Sequence, residues 1–145
     1  MRFSFVAILM FTISAQLAAQ GITNTVCNFG DRTYTKAQYA PTFGNNPSDL
    51  QNYFDSAFNK LEEIKSRISL TLIIDTMGNA RVSNVYHLDP AVMDEKDLNE
   101  MISKMPRWNP GRMRNCNVNC AIGLELIFDN KSVRVSYDKN QISPN

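Results

Sequence analysis

Histidine occurs once in this chain of 145 residues, at position 87, and cysteine three times. One histidine without a Cys-x-x-Cys pair offers too few ligands for a zinc site and no partner set for a triad. His87 therefore reads as an ordinary surface residue at a strand end. Nothing supplies an activated nucleophile or a phosphate cradle. No enzyme activity, catalytic residue, cofactor, metal or small-molecule substrate is expected. Charge of one sign is also lacking: 15 Lys and Arg face 14 Asp and Glu, interspersed without a run. Nucleic-acid binders carry a basic stripe, so nucleic acid is not an expected partner. Asp94, Glu95, Asp97 and Glu100 crowd one stretch with Lys96 among them. At the start of a helix they make a solvated, dipole-compatible face rather than an acid–base pair.

A long apolar run is missing too. The one apolar stretch, Phe3 to Ile13, follows Arg2 and fades into Ser14, Ala15, Ala18, Ala19 and Gln20. A membrane span needs roughly 20 apolar residues, whereas this layout matches a secretory leader. The expected leader covers residues 1–19, and the chain is expected to be exported, membrane-associated only if the leader stays attached. Three cysteines in an exported protein allow at most one internal disulfide.

What is present is periodicity. Residues 20–40 are polar and read as a loosely ordered lead-in, with Cys27 as its tether. A turn-rich approach from Ala40 leads to Ser48, a plausible helix N-cap. Leu50, Tyr53, Phe54, Ala57, Phe58, Leu61 and Ile64 then recur at three and four, the stripe of a helix packed on a sheet. Ile68, Leu70, Leu72 and Ile74 alternate as a strand, and Asp75 to Asn79 forms a hairpin loop with Gly78 at its positive-φ position. The return strand, Ala80 to about Leu88, has a bulge or face switch near Asn84. A second helix follows to about Lys104, with Asp94 as N-cap and Leu98, Met101, Ile102 and Met105 on its buried side.

Met105 to Phe128 organises the rest. Pro106 stops the helix, Trp108 is the single tryptophan, and Pro110-Gly111 reads as a tight turn with glycine free to take positive φ. Val118, Cys120, Ile122, Leu124, Leu126 and Phe128 alternate as a long strand. Val133, Val135 and Tyr137 suggest one more strand before a polar tail at 138–145. The expected fold is α+β, a two-layer sandwich of two helices on a small antiparallel three-stranded sheet, with a possible fourth strand, over residues 41–137.

Cys116 and Cys120 stand four residues apart in extended chain, roughly 13 Å, against a limit of about 7 Å between the Cα atoms of a disulfide. The parity of Cys120 matches Val118 and Ile122, a buried inert thiol. Cys116 and Cys120 could pair only if the chain folds back at Asn117-Val118-Asn119, so Cys27 to Cys116 is the preferred bridge, and Cys27 to Cys120 stays open.

Four stretches together resemble the C-terminal domain of TonB, the periplasmic part of the energy transducer for outer-membrane receptors, in a stand-alone exported variant of Bacteroidetes type. Pro41-Thr42-Phe43-Gly44 with Leu50 and Tyr53-Phe54 is similar to the family's lead into its first helix. Arg67 to Asp75 with Gly78 looks like its first strand and hairpin. Met105-Pro106-Arg107-Trp108-Asn109-Pro110-Gly111 is similar to the Met-Pro-x-Trp-x-Pro-Gly signature, the most specific of the four, and Val118 to Phe128 fits the closing strand. Ser66 replaces a usual glycine, no Tyr-Pro follows the first helix, and the Pro-rich spacer of a transducer is lacking.

The resemblance implies a periplasmic (cell envelope) protein-interaction domain linked to TonB-dependent transmembrane transport. In the family the closing strand accepts a receptor peptide by strand addition. The matching edge is Asn117, Val118, Asn119, Cys120, Ala121, Gly123 and Glu125, with Arg112 and Arg114 as polar contacts. Pro106, Trp108, Pro110, Gly111 and Gly78 are signature residues with structural roles, Trp108 bracing the second helix against the sheet. The residues after Ser132 also allow a strand that folds back and caps this edge. The domain would then be an adaptor in a cell-envelope assembly; an uncapped edge would instead allow a homodimer by edge pairing.

Overall fold

Large aliphatic side chains at every second position from Ile68 to Ile74 define a strand face that must leave water. In the computed structural model, which describes residues 27–58 and 65–138, that strand runs from Lys65 to Ile74, and none of Ile68, Leu70, Leu72 and Ile74 is more than 1 % exposed. The expected leader at 1–19, Leu61 and Ile64 of the helix stripe, and the tail after Asp138 lie outside the described residues. The elements are β1 (Thr33–Tyr34), β2 (Thr42–Phe43), α1 (Asp49–Ala57), β3 (Lys65–Ile74), β4 (Ala80–His87), α2 (Glu95–Ser103), β5 (Trp108–Asn109), β6 (Gly111–Met113), β7 (Cys116–Asp129) and β8 (Ser132–Asp138). Among the described residues the fold is mixed α+β, mostly strands with two helices.

β3 pairs antiparallel with β4 on one side and with β7 on the other, in register from Lys65↔Asp129 to Ile74↔Cys120. Along its far flank β7 meets three partners in series: β6 at Cys116–Val118, β1 in parallel at Asn119–Cys120, and β8 from Gly123 to Asp129. The sheet is thus six-stranded, not three-stranded. Two of the additional strands, β1 and β6, have two and three residues, too short to leave a hydrophobic period in the sequence. The segment read as a loose lead-in contains β1, and Tyr39 further bridges Arg112 through paired backbone bonds of 3.0 and 2.9 Å.

The β3–β4 loop is built on Asp75. Its Oδ1 accepts the N–H groups of Met77 and Asn79 and its Oδ2 the Asn79 side-chain amide, all at 2.8 Å. Burial pushes this carboxyl upward, but the bonds from Asn79, Met77 and Gly78 together outweigh it and hold it below its usual range. Gly78 takes φ +86°, as the hairpin requires. Register shifts in β4 leave Ser83 and Tyr86 as extra residues, one of them beside Asn84. At the far end, Ser66 donates its hydroxyl to Asp89 Oδ2 at 2.6 Å, which with the Ala91 N–H lowers the Asp89 carboxyl.

Asp94 caps α2, its carboxylate accepting the Asp97 N–H at 2.7 Å. Ser48 does not cap α1. Its backbone is already helical (φ −84°, ψ −11°), so its side chain makes no capping bond. Asp49 organises that entry instead, accepting the N–H groups of Asn45 and Asn46 at 2.8 and 2.9 Å. Leu50, Phe54 and Phe58 join Leu98 and Ile102, the inner residues of β3 and β7, and Val133 in one core. Truncating a fully buried phenylalanine such as Phe54 to alanine costs about 3–5 kcal/mol.

β2 and β5 form a separate two-stranded ladder that sets Phe43 against Trp108, ring centroids 5.1 Å apart. Pro110-Gly111 does not turn on a positive φ: Gly111 opens β6 and lies outside the left-handed region. Space is what it supplies, because a Cβ there would meet Cys120 Sγ at 2.2 Å.

Candidate functional site

Alternation along β7 separates two faces. Cys116, Val118, Cys120, Ile122, Leu124, Leu126 and Phe128 are buried, while Asn117, Asn119, Ala121, Gly123, Glu125 and Ile127 lie on the more accessible side. The resemblance makes Asn117 to Glu125 an open edge for a peptide. In the structure it is not open: β6, β1 and β8 occupy the flank that β3 leaves free. The physical reason lies beyond the strand. Asn130 and Lys131 both take positive φ (49° and 70°), the backbone of a tight hairpin turn, and return the chain directly onto β7.

β8 is fastened along both of its sides. Its inner side pairs with β7 from Asp129↔Ser132 to Gly123↔Asp138. On its outer side the Gln51 carboxamide of α1 donates from Nε2 to Val133 O and accepts the Val135 N–H at Oε1, 2.9 Å away. One side chain thus reproduces the donor and acceptor of a neighbouring strand. Val133 is 4 % exposed, and the Tyr137 ring stands edge-on to Trp108 at 6.0 Å. Gln51 reads in sequence as a residue of the wet helix face, and no local signal reveals its task.

Several expected edge residues already have intramolecular work. Asn117 donates its amide to Thr76 O at 3.1 Å, and Asn119 Oδ1 accepts the Thr76 N–H at 3.1 Å, so both fasten the β3–β4 loop. Glu125 lies 3.4 Å from Arg67 and 3.5 Å from Ser69 Oγ. Gly123 lines a shallow trough of about 450 Å³ with Ser69, Thr71, Tyr86, Glu125 and Ser136 on the helix-free face. Arg112 reaches Asn115 O at 3.4 Å, while the Arg114 backbone N–H binds Gln38 Oε1 at 3.2 Å. Arg114 and Asn115, at φ 48° and 65°, make the turn between β6 and β7.

The signature residues gather around Trp108, which is 2 % exposed and donates its backbone N–H to Gly78 O at 2.8 Å. Its ring contacts are Phe43 and Tyr137, and its Nε1 is buried with no partner among the described residues. Cys27 and Cys116 are joined in a disulfide, with Cα atoms 5.6 Å apart. Cys120 is a free thiol, 2 % exposed, and burial pushes it up to about 11. Among the described residues no group of three or more His, Cys, Asp or Glu side chains is placed to hold a metal ion, and no helix is long and apolar enough to cross a membrane.

The architecture defines a small α+β domain whose longest strand is paired on both flanks. Comparison with family models, curated proteins and solved structures finds no match. The likeness to the TonB C-terminal domain rests on the four stretches of residues alone.

Proposed function

We propose that this chain is a TonB C-terminal-like interaction domain of the cell envelope whose peptide-accepting edge is occupied from within, by its own C-terminal strand over Gly123–Asp129 and by β6 and β1 over Cys116–Cys120. Its layers form a two-layer sandwich, a reading supported by the core that α1 and α2 share with the inner faces of β3 and β7. It acts in the periplasm as an adaptor in a larger assembly rather than as an energy transducer. The observation that carries the reading is the double fastening of β8, by β7 on one side and by Gln51 on the other. A strand fastened in this way takes the backbone of β7 from Gly123 to Asp129 away from a receptor peptide.

Calorimetric titration with short receptor plug peptides tests this. The chain with β8 intact gives no heat of binding, and a chain ending after Asn130 gains it. Near-UV circular dichroism of Trp108 checks that the shortened chain is folded. Peptide binding by the chain with β8 in place would return the reading to direct strand addition and TonB-dependent transport. No gain in a folded, shortened chain would remove the autoinhibited edge altogether.

A further inference from the structure

The lead-in and the β6–β7 turn enclose a second concavity, remote in function from the β8 edge. It has a volume of about 420 Å³ and is lined by Asn28, Phe29, Arg32, Tyr34, Met113 and Arg114. Its two walls come from segments far apart in the sequence and are clamped at two places. The Cys27–Cys116 disulfide joins the residue before Asn28 to the start of β7, and β1 pairs Thr33 and Tyr34 with Asn119 and Cys120. Gly30, at φ +59°, turns the chain between these two clamps.

The chemistry of the lining is of one kind. Among the described residues, neither Arg32 nor Arg114 forms an ion pair or a side-chain hydrogen bond, and both are exposed. Asp31 is the nearest carboxylate in sequence, and it too has no ion pair among the described residues. Phe29 and Tyr34 meet edge to face at 6.0 Å, both half-buried, so they offer fixed apolar walls. Arg114 is held in a left-handed turn (φ 48°), with its backbone N–H on Gln38, so its backbone is fixed at the rim while its guanidinium stays free to meet a ligand. A guanidinium matches a carboxylate in planar, two-pronged geometry. Aromatic walls accept the hydrocarbon stem that carries a carboxylate and give nothing to a bare inorganic anion.

We propose that this disulfide-tethered pocket binds a carboxylate-bearing ligand, an acidic peptide segment, with Arg32 and Arg114 pairing the carboxylates and Phe29 and Tyr34 packing on their stems. The site is independent of the β8 edge and stands or falls separately from it.

The test is a titration of the oxidised chain with an acetylated, amidated tetraglutamate peptide, with the tetraglutamine peptide and with glutarate, at low salt. Saturable binding of tetraglutamate and none of tetraglutamine is the expected result. The double variant Arg32→Gln/Arg114→Gln weakens it at least tenfold, and both positions are exposed, so the fold is kept. Cys27→Ala, which frees one wall without touching a guanidinium, weakens it to a similar degree while the near-UV signal of Trp108 is retained. Glutarate binding as tightly as the peptide, and lost in the same double variant, supports the carboxylate chemistry and assigns it to a small diacid. No saturable binding of either carboxylate, or binding unchanged in the double variant, overturns the site. Binding unchanged in Cys27→Ala overturns the part assigned to the tether.

Discussion

Gly78 and Trp108 meet backbone to backbone. Trp108 donates its N–H to Gly78 O at 2.8 Å, and a Cβ added at Gly78 would stand 2.1 Å from Trp108 O. Two signature residues 30 positions apart are therefore a single joint, where the β3–β4 hairpin is strapped to the chain leaving α2. Gly78→Ala loses on two counts, a positive φ of 86° and the collision with a backbone atom that cannot rotate away. Left-handed strain is roughly 1–2 kcal/mol and overpacking adds about 1–3 kcal/mol. A fall in stability of about 2–4 kcal/mol is expected in urea titration. An unshifted midpoint would show that the joint relaxes freely.

Gln51 is the second test. Gln51→Ala removes a bonded donor and acceptor from β8, leaving Val133 O and Val135 N to water or to another chain. The loss is expected to be about 1–2 kcal/mol. Exposed strand edges associate, so light scattering should show a concentration-dependent rise in mass for the variant only. A monomer at every concentration would mean that α1 shields this edge without the amide.

Cys120 should be chemically silent. With Cys27 and Cys116 bonded, a thiol-reactive dye at pH 8 should find no group in the folded chain and one per chain in guanidinium. Its thiol, raised from 9.0 to about 11 by burial, stays protonated in the fold after it would ionise in the unfolded chain. Stability from this group is therefore full below pH 9 and declines as pH rises from about 9 toward 11. Rapid labelling of native protein at pH 8 would contradict the burial.

Asp75 gives the opposite pH limb. Its lowered carboxyl contributes stability above the ordinary value of 3.8, and that contribution is lost as pH falls through the lower folded value. Asp75→Ala should cost about 2 kcal/mol at neutral pH through its hydrogen bonds to the loop. The same variant should show a weaker acid dependence below pH 4 than the parent chain. Parallel acid profiles would assign the limb to other carboxylates.

Legibility in the sequence followed the length of each element. The alternation of Ile68 to Ile74 and of Val118 to Phe128 located β3 and β7, because ten and fourteen residues hold several periods. Asp94 announced the start of α2 because an extended N-cap with an acceptor side chain is a local device. β1 and β6 stayed hidden because their own two or three residues carry no pattern, and the partner of β1 lies far along the chain in β7. Ser48 misled because Asp49, one residue later, does the local bonding. For the candidate site, Val133, Val135 and Tyr137 suggested a covering strand. Gln51 did not, since a glutamine on a wet helix face looks the same whether it meets water or a strand edge.

The bond between Cys27 and Cys116 has a further consequence. With 89 positions between its ends, it makes most of the described chain a closed ring. Ring closure of this size removes about 4–5 kcal/mol of conformational freedom from the unfolded chain. β8 lies outside the ring, attached through the turn at Asn130-Lys131. The ring can stay tied while this outer arm lifts, so the strand that closes the edge is topologically the one most easily spared.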